Sequence, residues 1–120
     1  MEILRPEILK LKRLLIKAGV NFEVCILPDF KDSAEPGSLE KYTGLKHGVQ
    51  IILYNKNGVR LADAVQNTFT YGFRKNLIEI MGGLTAEEKR DDDVLGYLTA
   101  EDVAERFIYC YKNDTSVYKK

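Results

Sequence analysis

At 120 residues, with 45% hydrophobic and 30% charged side chains, this chain has the size and balance of one globular domain that can bury a modest core without staples. Its 18 basic and 18 acidic residues cancel, which removes the electrostatic reason for nonspecific nucleic-acid binding. Cys25, Cys110 and His47 fall short of the four ligands of a structural zinc site, so no metal or cofactor is expected and both cysteines read as buried thiols of a reducing compartment.

The N-terminal stretch is apolar but broken throughout by Glu2, Arg5, Glu7, Lys10, Lys12, Arg13 and Lys17, unlike a secretory leader, and no apolar run approaches bilayer length. A cytoplasmic protein with no membrane partner is expected. Leu4, Ile8, Leu11, Leu15 and Ala18 share one helical face, with Pro6 suited to a first turn and Gly19 to the position just past the end. Phe22 to Leu27 favours a strand that Pro28 ends. Residues 28–46 are polar, without apolar periodicity, and form a long connection of the kind that often binds something.

Val49 to Tyr54 is the clearest strand. It runs through Asn55-Lys56-Asn57-Gly58 into Val59 to Gln66, and Asn57-Gly58 between two apolar runs predicts a hairpin over 49–66. If Val49, Ile51 and Leu53 face inward, then Val59, Leu61 and Val65 share that face and Asp63 falls on it as well. Either Asp63 has a partner near the end of the sheet, or Ala62 and Ala64 are the buried pair. Over 71–82 the stripe of Phe73, Leu77, Ile80 and Met81 predicts a helix stopped by Gly82-Gly83.

Leu-Thr-Ala-Glu is written twice, from Leu84 and again from Leu98. Each threonine has an acid three residues on, Glu88 and Asp102, the signature of a capping box. Thr85 should open a short helical turn and Thr99 a closing helix that turns Val103, Phe107, Cys110 and Tyr111 inward. The expected architecture is a two-layer α+β domain over 1–112, with an N-terminal helix, a three-stranded antiparallel sheet and two or three C-terminal helices. A polar tail over 113–120 is expected to fray. The exposed edges of a small sheet make homo-oligomerisation plausible.

Residues 63–75 form the densest polar and aromatic group and join the hairpin to the predicted helix. Backbone N–H groups at such a junction can hold an anion. The candidate ligand-binding residues are Arg60, Asp63, Asn67, Thr68, Thr70, Tyr71, Gly72, Arg74 and Lys75, with the arginines meeting phosphates and the aromatics a base. The simpler alternative is that Asn67, Thr68 or Thr70 caps the helix while the aromatics join the core. Asp91-Asp92-Asp93 lacks the ligand spacing of a calcium loop and reads as a solvated turn. No catalytic residue is assigned, because His47 has no nucleophile at motif spacing and no carboxylate pair stands against an apolar background. Direct nucleic-acid binding through a 71–82 helix is disfavoured by the neutral total and by Glu79, Glu87 and Glu88.

Tyr71-Gly72, then Leu77-Ile78-Glu79-Ile80-Met81-Gly82 followed by Leu84-Thr85, and Gly96-Tyr97-Leu98-Thr99-Ala100-Glu101-Asp102-Val103 resemble a group of small uncharacterised proteins encoded by phages and prophages of Gram-positive bacteria. The resemblance covers residues 60–108 and is carried by the kept spacing. It implies no catalytic residue. It implies a setting, the host cell cytoplasm, in which small accessory proteins bind a host component and inhibit it or sequester an immune nucleotide signal. The expectation is a non-catalytic binding protein of the anti-defence type, partnered by a host protein. The alternative is a small-molecule binder that sequesters a nucleotide signal at 63–75.

Overall fold

The structure, a computed structural model, describes residues 6–26, 48–66 and 75–119. In chain order its elements are α1 (Pro6–Ala18), β1 (Asn21–Ile26), β2 (Val49–Tyr54), β3 (Arg60–Gln66), β4 (Ile78–Met81), α2 (Ala86–Asp91), β5 (Val94–Leu98) and α3 (Ala100–Asn113). The class is α+β with a leading helix, as the sequence pattern implies. Among the described residues no helix is long and apolar enough to cross a membrane.

α1 buries Ile8, Leu11 and Leu15 completely, which is the helical stripe of the sequence. Ala18, expected on that face, is exposed. Gly19 ends the helix with φ +72°, donating to the carbonyls of Leu15 and Ile16 at 3.1 Å. The predicted hairpin is β2–β3, and its turn is organised by Asn55. The Asn55 side-chain oxygen accepts from the N–H groups of Asn57 and Val59 at 2.9 and 2.8 Å, and its amide donates to Asp114 at the far end of α3.

Of the two facings the sequence allows for that hairpin, the structure adopts the one that buries Ala62 and Ala64. A bulge near Leu53 and Tyr54 shifts the register, so that Leu53 pairs Ala62 and Ile51 pairs Ala64. A slip of one residue exchanges the two faces of a strand. Ala62 and Ala64 therefore join Val49, Ile51 and Leu53 in the core, whereas Val59 is exposed and Leu61 and Val65 are only partly covered. Asp63 lies on the other face.

The sheet has five antiparallel strands among the described residues, in the order β1-β2-β3-β4-β5, in place of the three expected. The predicted helix over 71–82 is wrong from residue 75 on, and residues 71–74 lie outside the described set. Ile78 and Ile80 are buried to either side of half-buried Glu79, which is the two-residue period of a strand. Gly82-Gly83 is not a helix stop; both glycines have positive φ and lead the chain out of β4 towards Thr85. β5 was not anticipated at all.

Both predicted capping boxes are present. The hydroxyls of Thr85 and Thr99 accept from the N–H groups of Glu88 and Asp102, whose carboxylates accept in return from the threonine N–H groups. Leu84 and Leu98, the residues before the caps, are both buried. In α3, Val103, Phe107 and Cys110 are fully buried and Tyr111 packs at the margin of the core. Glu7 of α1 accepts from the Ala100 N–H at 2.6 Å and Lys10 pairs with Glu101, which fastens the two long helices together.

The tail does not fray as expected. Val117 bridges Leu84 in parallel, and the Gly83 N–H donates to Ser116 and the Tyr118 N–H to Leu84, both at 2.8 Å. The Tyr118 ring, almost fully buried, stands edge-on to Tyr109 and lies beneath the Arg106 guanidinium, 4.9 Å from its centroid.

Candidate functional site

Residues of α1 and α3 share the core with one face of the sheet: Val49, Ile51, Leu53, Ala62, Ala64, Ile78 and Ile80. Alternate residues of each strand point the opposite way. The pairing aligns them in rows, Glu23–Ile52–Asp63–Met81–Val94 and Cys25–Gln50–Val65–Glu79. This second face carries Glu23, Gln50, Asp63 and Glu79 around Ile52, whereas Gln66, opposite Val49, is buried on the core face.

Asp63 is the hub of that face. It is buried, and its Oδ2 accepts from Gln50 Nε2 at 2.6 Å and from the Arg60 guanidinium. Arg60 leaves 52% of its side chain exposed, and a guanidinium has five N–H donors, so capacity remains for an external acceptor. Next to it the Tyr54 hydroxyl donates to Glu23 at 2.9 Å. That bond to a carboxylate, with some burial, raises the Tyr54 pKa, while nearby Arg60 works against the rise. Cys25 is half-buried on the same face, not in the core as expected; burial first, then the negative Glu23, raises its thiol. Cys110, fully enclosed by the helices and sheet, is pushed up to about 11 by burial. Neither cysteine is in a disulfide.

A cleft of about 390 Å³ opens where β3 begins and β4 ends. Its walls include Leu61, Ala62, Met81 and Leu84, with Arg60, Asp63, Lys89 and Asp93 supplying charge and Ser116 of the docked tail closing one side. The volume lies in the range of small-ligand pockets and also takes a protruding side chain of a partner. Met81 is 53% exposed. Gly82 is required here, because a Cβ would stand 2.7 Å from the Leu61 carbonyl oxygen.

Of the predicted site residues, the structure joins Arg60 and Asp63. Lys75 is exposed and does not line the cleft. Asn67, Thr68, Thr70, Tyr71, Gly72 and Arg74 lie outside the described residues, as do the connection 28–46 and His47. An anion site at 63–75 needs a helix start, and the described part of that junction leads into strand β4 instead. Met81, Lys89, Asp93 and Ser116 were missed as wall residues. The legible signal was Gly82-Gly83 directly after a short apolar run, which in a strand marks close approach of a second backbone. Asp91, Asp92 and Asp93 are exposed, as expected for a solvated turn, and among the described residues no group of three or more His, Cys, Asp or Glu side chains is placed to hold a metal.

The fold and cleft define an α+β protein with two helices on one sheet face and a mixed-charge cleft beside the other. No protein-family model matches the chain, and no curated protein or solved structure matches it.

Proposed function

We propose that this chain is a non-catalytic binding protein that acts by occupying the surface of a host protein, in the phage setting that the resemblance implies. The observation that carries the reading is the cleft at the β3–β4 end, lined by half-exposed Met81 and Arg60 together with Lys89 and Asp93. A lining that mixes apolar and charged side chains suits an apolar anchor residue of a partner, with the charges fixing its orientation. The polar side chains nearby are engaged in holding shape: Asp63 receives Gln50 and Arg60, and Glu23 receives Tyr54.

The test is capture from a Gram-positive host lysate by tagged wild type, compared with Met81→Asp and Arg60→Glu. A host protein retained by wild type and released by both variants, at unchanged melting temperature, supports the reading. Capture that neither substitution alters would end it.

A second reading, sequestration of a nucleotide signal, is favoured by the two cations Arg60 and Lys89 on the walls of one cleft. A nucleotide that binds the folded state raises the melting temperature by mass action, and Arg60→Ala should remove the shift. A broad nucleotide panel without any shift would dismiss it.

A further inference from the structure

We infer that the cleft where β3 begins and β4 ends is a site for a small zwitterion, a free α-amino acid with an apolar side chain. The site shares its cleft with the binding reading above and gives that cleft a ligand of its own.

Two cations and two anions line the cleft: Arg60 and Lys89, Asp63 and Asp93. One opposite pair is already joined, Arg60 with Asp63. The other is not. Among the described residues no ion pair engages Lys89 or Asp93, and both are exposed. A ligand with one ammonium and one carboxylate answers both free charges at once. A polyphosphate would gain at the two cations and lose at the two acids.

The joined pair keeps capacity of its own. Asp63 is buried, and the described residues fill two of a carboxylate's roughly four acceptor sites, both on Oδ2. Arg60 gives Asp63 one of its five N–H donors and leaves half of its side chain exposed. The ammonium of the ligand thus belongs with Asp63 and Asp93, and its carboxylate with Arg60 and Lys89.

β3 pairs with β2 as far as Arg60 but with β4 only over 63–65. Residues 60–62 therefore line the cleft with no ladder partner on that side among the described residues. Strand backbone without a partner strand keeps donors and acceptors for the polar end of a ligand. Leu61, Ala62, Met81 and Leu84 are left for its side chain, and the flexible thioether of Met81 adapts to apolar groups of different shape. At about 390 Å³ the cleft stands at the low end of small-ligand pockets, which suits a ligand of amino-acid size.

The experiment is isothermal titration calorimetry of the whole chain with L-leucine, L-methionine and L-phenylalanine. The tightest of the three is then compared with its N-acetyl and its amide derivative, each of which lacks one charge. The expected result is saturable binding of at least one free amino acid, with both derivatives about tenfold weaker, the worth of one charged hydrogen bond. Lys89→Gln should weaken the free amino acid about tenfold and leave the amide, which has no carboxylate, unchanged. Asp93→Asn should weaken it likewise and leave the N-acetyl derivative unchanged. Both positions are exposed, so the melting curve of each variant should match wild type. No saturable binding of any of the three up to about 10 mM, derivatives that bind as well as the parent, or variants that bind as wild type does would overturn the proposal. Host-protein capture that depends on Met81, with all three amino acids unbound, would leave the binding reading standing and remove the zwitterion site. Amino-acid binding with no host protein captured would do the reverse.

Discussion

Gly82→Ala is the substitution whose cost the structure sets most directly. At φ +79° the residue is left-handed, and an alanine there costs roughly 1–2 kcal/mol in any setting. The added methyl also meets the Leu61 oxygen at 2.7 Å and the Ala62 Cα and Cβ at 2.9 Å, two of them backbone atoms of β3 that cannot swing away. Overpacking of this kind adds about 1–3 kcal/mol, for a total of about 2–5 kcal/mol. The structure supplies its own control. Gly58 has φ +82° with nothing within 4 Å of its notional Cβ, so Gly58→Ala carries the conformational cost alone. Equilibrium urea unfolding of the two variants, followed by circular dichroism, isolates the steric part as their difference. If Gly82→Ala were no more destabilising than Gly58→Ala, the close approach of β4's exit to β3 would be refuted, and the shape of the cleft with it.

Two further predictions concern what holds the C-terminal half in place. Arg106 meets Glu88 in a forked pair at 2.7 and 3.0 Å, with exposures of only 14% and 30%. Arg106 first, and the Thr85 backbone N–H as well, lower the Glu88 pKa from 4.5 to about 2 against the opposing effect of burial. A carboxylate held below its unfolded value stabilises the fold fully above that value and loses the contribution as pH falls through the folded one. Glu88→Gln should therefore cost about 2 kcal/mol at neutral pH, and the gap from wild type should close between about pH 4.5 and pH 2. A gap independent of pH in chemical unfolding would contradict the charge pairing. Asn55→Ala leaves the N–H groups of Asn57 and Val59 without their acceptor and Asp114 without its donor. Buried at 8% exposure, the site should lose about 2–4 kcal/mol in urea unfolding, and a loss below about 0.5 kcal/mol would show that the turn does not depend on it.

What the sequence made legible were features settled within a few residues of themselves. The stripe of α1, the Asn57-Gly58 turn and both capping boxes depend on neighbours along the chain, and each formed as the pattern implied. Features decided across the sheet were not legible. Leu77, Ile80 and Met81 fit a helical stripe, yet Ile78-Glu79-Ile80 fits a strand equally, and a run of four residues cannot arbitrate between the periods. Gly96 hid β5 because glycine inside an apolar run reads as a break; in the sheet it belongs to the bulge that turns Tyr97 outward. The extra residue in the hairpin is likewise unmarked in sequence, which leaves Asp63 open between the core face and the face it shares with Arg60, where the structure puts it.

That last displacement links fold to candidate site. Without the bulge, Asp63 would oppose Ile51 in a core of aliphatic side chains, where an unpaired carboxylate is expensive. With it, two alanines take the core positions beneath α3, in one apolar cluster with Phe107. On that face Asp63 pairs with Met81 across β3 and β4, and both line the cleft with Arg60. A local irregularity in the strongest hairpin of the chain thus keeps a carboxylate off the core face and leaves it beside Arg60 and Met81 at the cleft.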